Sequence, residues 1–511
     1  MTHATQITAR LTGLAVLLLL LMLSAACAPM GPSEQTDEAT AEVTPEVTFP
    51  LSEPVTETMS LPADTDATFS PTTDTAAATP ETDEPETTAA ETSAEEITTA
   101  PIVPERVPDG TLPFIPDRPE TIDTDWKAMW ISQFDLYPLY LHNGMQRDLD
   151  DFRSRMATLL DNVAGDGFNT VVLQLRPYGD SMYPSDVYPP SRYCVGSYGA
   201  EFTYDPITVI MELCQGRGLA VHGWINPMRA MTAAELEQVD DRYLIKQWYN
   251  DPAKRGDYLV TVGGRWYLNP AHEEVRRLIC DGAAEILDRY AMVGIHMDDY
   301  FYPTTHASFD ALSYGAYLAE GGECSLDDWR RENLDKLVSE LYATVKAHDL
   351  RALFGISPAG VIDTVYNSHY ADVYKWCSEP GYVDYICPQL YFGFEHATCA
   401  FDKVCETWQS IVQSDYVSLI IGLGFGKAAA GVDEWAGTAG KDEWTRHKDI
   451  LLRSLKHTET IEGCVGVTVF SYQHLFDPLS GDVLEASRQE HELFTPYFKE
   501  MTWRKDAPVL P

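Results

Sequence analysis

The chain has 511 residues, with 78 acidic against 36 basic side chains and a formal net charge of −42. That acidity argues against nucleic acid as a partner, because phosphate binding needs clustered Lys and Arg. A chain that is 45% hydrophobic can bury a large core, and its length exceeds that of a single small sandwich.

The first element, residues 1–27, has the form of an export signal. Arg10 supplies a small positive start, residues 11–23 are apolar, and the segment closes on Leu23, Ser24, Ala25, Ala26 and Cys27. The apolar run is short for a membrane span. Small residues before a cysteine are the mark of a lipoprotein signal, with Cys27 as the lipidated residue.

Residues 28–122 are rich in Thr, Glu, Asp, Ala and Pro. Such a stretch cannot bury enough apolar surface to offset chain entropy, so a disordered linker is expected. Residues 28–125 hold 23 acidic and 2 basic side chains, a net of −21 and half the charge of the whole chain. They should behave as a solvated, self-repelling tether. Once Cys27 is set aside, nine cysteines remain. They are irregularly spaced with no Cys-x-x-Cys, so neither a zinc ribbon nor full disulfide pairing is expected.

Within 123–511, eight β-rich runs recur: 127–133, 169–176, 219–226, 293–299, 353–357, 383–391, 418–424 and 464–471. Amphipathic helical stretches at 150–164, 207–217, 273–290, 329–348 and 442–457 lie between them. Strand and helix alternating at this spacing imply a parallel sheet, and eight units imply an α/β fold closed as a (β/α)8 TIM barrel. No Gly-x-Gly-x-x-Gly follows the first run, so a dinucleotide fold has no support.

Side chains alternate along a strand, which sorts the candidate residues by face. In 293–299, Gly294, His296 and Asp298 oppose Val293, Ile295 and Met297. In 169–176, Val172, Gln174 and Arg176 share a face; in 219–226, His222, Trp224 and Asn226; in 383–391, Tyr385, Cys387, Gln389 and Tyr391. Arg176, Asn226, Asp298 and Gln389 are therefore expected to converge at the C-terminal mouth of the barrel, with Tyr178 and Trp224 beside them. Tyr300 and Tyr302 would stack sugar rings from the following loop.

A mouth of carboxylate, amides, Arg and aromatics suits carbohydrate, and glycoside hydrolysis uses two carboxyl groups flanking the bond. Asp298, pointing inward, is the first catalytic candidate and Asp299 the second. Glu395, in the loop after the sixth run, is the favoured partner carboxylate, with Glu434 and Glu443 as alternatives and Asp433 nearby. His222, His296, Asp298 and Asp299 have the chemistry of a divalent metal site. The two histidines lie two residues deeper than the strand ends, however, and read as hydrogen-bonded core residues. No metal and no cofactor is expected. No Gly-x-Ser-x-Gly elbow is present.

Several separate blocks resemble one family: FNTVVLQLRPYGDSMYPS at 168–185, YDP at 204–206, RGLAVHGWINPMR at 217–229, LNP at 268–270, GIHMDDYFYP at 294–303, DWRREN at 328–333, FGISP at 354–358 and PQLY at 388–391. Over roughly 125–480 the chain resembles bacterial glycosyl-hydrolase-like family 10, the family 10 glycosylhydrolase lipoproteins. The resemblance implies a (β/α)8 barrel and glycosidase activity at the cell envelope, with Arg176, Asn226, Asp298, Asp299, Gln389 and Tyr391 in the substrate cleft. Where family members often carry Trp after the Pro-Gln-x-Tyr motif, this chain has Phe392, a smaller platform.

The expectation is an exported, monomeric glycoside hydrolase, lipid-anchored through Cys27 to the outer face of the bacterial cell membrane. Its partner would be a polysaccharide, with peptidoglycan glycan strands the leading candidate. The alternative is a non-catalytic carbohydrate-binding surface lipoprotein.

Overall fold

The computed structural model describes residues 125–298 and 301–503. Cys27, the expected signal and linker, Asp299 and Tyr300 lie outside the described residues.

Eight parallel strands close into a barrel: β1 Trp126–Ile131, β2 Thr170–Arg176, β3 Ala220–Ile225, β4 Gly294–Asp298, β5 Leu353–Ser357, β6 Tyr385–Ile386, β7 Ser418–Gly424 and β8 Cys464–Phe470. Each strand pairs with its neighbour in sequence, and β8 returns to pair with β1. The outer layer includes α1 Leu149–Gly165, α2 Pro206–Gln215, α3 Glu273–Arg289, α4 Leu326–His348, α5 Phe401–Ile411, α6 Ile450–Thr458 and α7 Arg488–Glu500. Two short helices, Ile362–Asn367 and Val373–Trp376, stand between β5 and β6.

The helix starts follow from capping chemistry. Asp148 accepts from the Asp151 amide at α1, and Asp205 accepts from Ile207 and Thr208 at α2, where Pro206 needs no partner for a missing N–H. Ser325 caps α4 three residues before the sequence pattern suggests. Helix 442–457 is broken into Glu443–Arg446 and α6. The sixth strand is the largest departure in the sheet. Only Tyr385–Ile386 forms a regular ladder, because Pro388 has no N–H to give, and Gln389 rejoins its neighbours through isolated bridges to Ala359 and Gly422.

The barrel interior is aromatic. Trp126, Trp130, Trp224 and Tyr385 fill it with Ala128, Val172, Cys387 and Ile420. Such rings need facing positions without side chains: a Cβ on Gly355 would lie 2.1 Å from the Tyr385 ring. A three-stranded antiparallel sheet is inserted between β3 and α3, with Arg265–Leu268 central between Arg229–Thr232 and Leu259–Val262. All nine cysteines among the described residues are unpaired, and all but Cys324 are buried.

Candidate active site

The strand ends assemble a polar network around Asp298 at the close of β4. Its Oδ2 accepts from Trp224 Nε1 at 3.1 Å and Asn226 Nδ2 at 2.9 Å, and its Oδ1 accepts from Gln389 Nε2 at 3.1 Å. Asp298 is 6% exposed. The network continues outward. Asn226 Oδ1 accepts from Gln174 Nε2 at 2.7 Å, Gln174 Oε1 accepts from the Gln133 amide at 2.7 Å, and Gln133 Nε2 donates to the Tyr178 hydroxyl at 2.7 Å. Four strand ends, β1 to β4, and the segment after β6 are thus linked through amide side chains, with Gln133 Oε1 the one buried acceptor of this chain of amides left without a partner.

Beneath the carboxylate the chemistry is neutral. Trp130 Nε1 donates to His296 Nε2 at 3.2 Å, and His296 Nδ1 meets the Tyr385 hydroxyl at 2.9 Å. Indole nitrogen can only donate, so His296 carries its proton on Nδ1. Burial, helped by the neighbouring His222, holds His296 well below the usual histidine range. Burial pushes His222 down to about 3. Both rings are core residues packed among Trp126, Trp130 and Tyr385. Among the described residues no group of three or more His, Cys, Asp or Glu is placed to hold a metal ion.

Aromatic faces line one side of the mouth. Tyr391 and Phe470 are both half-buried and stack at 5.7 Å and 21°, and Trp130 stands edge-on to each. Trp130, Phe470, Gln133 and Gln174 were not among the site residues expected from sequence. Gln174 shares the inward face of its strand, so parity alone could have found it. Gln133 opens the short helix that follows β1, and Phe470 closes β8, at the same end of the barrel.

Two expected positions differ. Arg176 does not reach the mouth. The register of β2 on β3 shifts between Gln174 and Arg176, a bulge that turns Arg176 outward opposite Ile225. Its guanidinium lies fully buried over the Tyr188 ring, 3.8 Å from the centroid, and Nη1 donates to the Ile279 carbonyl of α3. Tyr302 is 1% exposed and presents no face to a sugar. Its ring packs edge-on against Phe309 and Tyr370 over Arg330, whose guanidinium forms a fully buried ion pair with Asp310. A buried charge pair needs a well-packed cover, and Tyr302 provides part of it.

The partner carboxylates expected after β6 and β7 are engaged elsewhere. Glu395 is paired with Arg446 at 2.6 Å, and that guanidinium holds its carboxyl below the usual range. Glu443 is fully buried and accepts from the Phe394 and Glu395 amides, so it ties down the loop after β6. Glu434 pairs with Lys441, and Asp433 with Lys427. A different carboxylate, Asp135, is fully buried beyond β1 and accepts from Ser132 and from the Gln473 amide after β8, joining the two strand ends. Burial pushes it up to about 6 despite these donors.

Residues 125–435 match the model of a family described as Glycosyl hydrolase-like 10. The chain is 31% identical over 318 residues to Glycosyl hydrolase DigH of Escherichia coli (strain K12), covering 58% of this chain and 71% of that one. It is 30% identical over 318 residues to Glycosyl hydrolase YngK of Bacillus subtilis (strain 168), covering 59% of this chain and 60% of that relative's length. Among solved structures, the PgaB (BpsB) glycoside hydrolase domain from Bordetella bronchiseptica aligns with a TM-score of 0.49 at 13% identity, over 74% of this chain and 100% of that one. The family model covers well over half of the chain and all eight strands but the last, and on that match the chain belongs to the glycosyl hydrolase-like 10 family.

Proposed function

We propose that this chain is a glycoside hydrolase that cuts O-glycosidic bonds of a cell-envelope polysaccharide by a two-carboxylate mechanism. The observation that carries the reading is Asp298: a carboxylate at the mouth of a closed (β/α)8 barrel, its two oxygens fixed by Trp224, Asn226 and Gln389. A carboxylate held by three N–H donors is presented as an acceptor in one orientation. That suits a nucleophile, or a charge facing an oxocarbenium-like transition state, better than a proton donor. The proton then comes from a second carboxyl group. Asp299, the next residue in the chain, and Glu395 are the candidates, and Glu395 would first have to leave Arg446. Tyr391 and Phe470, both half-buried, offer flat faces on which sugar rings stack, and the buried Trp130 supports them edge-on.

In this reading the substrate is peptidoglycan glycan strands, reached by an exported, monomeric protein anchored through Cys27. Its support is the signal-like start of the sequence and the membership of the family. The test incubates the full chain with purified glycan strands, with and without stem peptides, and reads new reducing ends by mass spectrometry. Cleavage is expected, and Asp298→Asn should lower it by at least about a hundredfold. Binding without cleavage of either substrate would replace the hydrolase with a carbohydrate-binding surface protein.

A further inference from the structure

The inserted sheet brings two cations to the edge of the Asp298 network. Arg229 lies three residues beyond Asn226 on one outer strand, and Arg265 lies on the central strand. Both guanidinium groups lie over the Tyr178 ring, with Cζ at 4.5 Å and 4.2 Å from its centroid. Tyr178 is the end of the hydrogen-bond chain that runs through Gln133, Gln174 and Asn226 to Asp298. Arg265 Nη1 donates to the Ala230 carbonyl at 2.9 Å, which fixes the plane of its fork.

Most described arginines of this acidic chain are paired with a carboxylate, as in Arg192 with Glu235 and Arg276 with Glu340. Arg265 is not: among the described residues no carboxylate pairs with it. Asp180, close by in sequence to Tyr178, is fully buried and already accepts from the Tyr178 amide and the Tyr198 hydroxyl. Arg265 is half-buried, so water reaches it. A guanidinium stacked on a ring and tied by one N–H keeps its remaining donors in a planar edge that matches a carboxylate. Recognition of a neutral sugar needs no such group.

We propose that Arg265, with Arg229 beside it, binds a carboxylate carried by a sugar unit of the substrate. The substrate class is therefore an acidic glycan rather than a neutral polysaccharide. This rests on the glycosidase reading above, and Arg265 is a specificity residue in it, not a catalytic one. The carboxylate could be a lactyl ether on an amino sugar, as in glycan strands stripped of peptides, or the C6 carboxylate of a uronic acid.

The experiment uses the full chain and two substrates, each in native form and after reduction of its carboxyl groups to alcohols: peptide-free peptidoglycan strands, and a uronate-containing oligosaccharide. The readout is the ratio of kcat/KM on the native form to that on the reduced form, with binding of the same four ligands measured by calorimetry on Asp298→Asn. The wild type should favour one native form by tenfold or more, and the favoured form identifies the source of the carboxylate. Arg265→Gln should collapse that ratio, and Arg265→Lys should restore it only in part, since an ammonium lacks the fork. Arg255→Gln, which removes the same charge from an exposed position over Tyr249, is the control and should leave the ratio unchanged. An equal response to native and reduced forms in the wild type, or a ratio untouched by Arg265→Gln, overturns the proposal. Binding that prefers the native form while no ligand is cleaved would keep the anion site and remove the hydrolase reading instead.

Discussion

Glu490 shows how burial and hydrogen bonding compete at one carboxyl group. It is 2% exposed and accepts from the Ile450 and Leu451 amides, the open donors at the start of α6. Burial nevertheless pushes it up to about 7, and Asp135 is likewise raised to about 6. A raised carboxyl favours the protonated folded state. Its contribution to stability is complete below the unfolded value near 4 and is lost as pH rises through the folded value. Denaturant melts at pH 4.5 and pH 8 should show Glu490→Gln gaining on the wild type with rising pH, by at most about 3 kcal/mol. A constant difference between the two proteins across that range would show that Glu490 is not titrating there. At this same scale the sequence was informative where side chains alternate in a regular strand: Trp224, Asn226, Asp298 and Gln389 meet as parity requires. It misplaced Arg176 at the mouth, because a bulge is a property of the ladder and leaves no mark on the hydrophobic pattern. It misplaced Tyr302 as well, since no period governs a loop and only the Arg330–Asp310 pair explains where that ring goes.

At the scale of elements, the bulge fastens the cleft wall to the outer helix layer. Arg176 and Tyr188 pack together against α3, where Gly282 leaves room for both. A Cβ at Gly282 would lie 2.5 Å from the Tyr188 ring and 2.7 Å from Arg176 Nη1, and both side chains are fully buried. Alanine is the better helix former by about 1 kcal/mol, so on propensity alone Gly282→Ala would stabilise α3. Overpacking of about 1–3 kcal/mol opposes this and should win, because neither neighbour can swing into solvent. A thermal melt should show a lower Tm for Gly282→Ala, and a rise would mean that the wall yields easily. The inserted sheet that carries Arg229 and Arg265 was not foreseen. Its strands have four residues each, too few for alternation to stand out from the surrounding loop. Helices α1 to α4 and the eight barrel strands were legible from their apolar periodicity, whereas α5 and α7 were not read, the 442–457 helix is broken and the sixth strand is far shorter than its apolar run.

For the whole molecule, closure of the barrel makes β1 and β8 neighbours and leaves stability to two apolar clusters, a large one that includes the helices and a smaller aromatic one inside the barrel, rather than to cross-links. All nine described thiols are free and most are buried, and burial raises those of Cys377 and Cys405 far above the usual thiol range. The melting temperature should therefore be the same with and without a reductant, and a drop on reduction would reveal a disulfide that matters. Both ends of the described chain meet on the side of the barrel away from Asp298. Lys127, near the start of β1, donates to the Phe498 carbonyl at the end of α7, and the Trp503 amide donates to Asp125. Whatever precedes residue 125 therefore joins the barrel at its base. A tag or solid support joined at that base would therefore leave the Asp298 end of the barrel unobstructed, with the length of the strands between the attachment and any chain that enters the mouth.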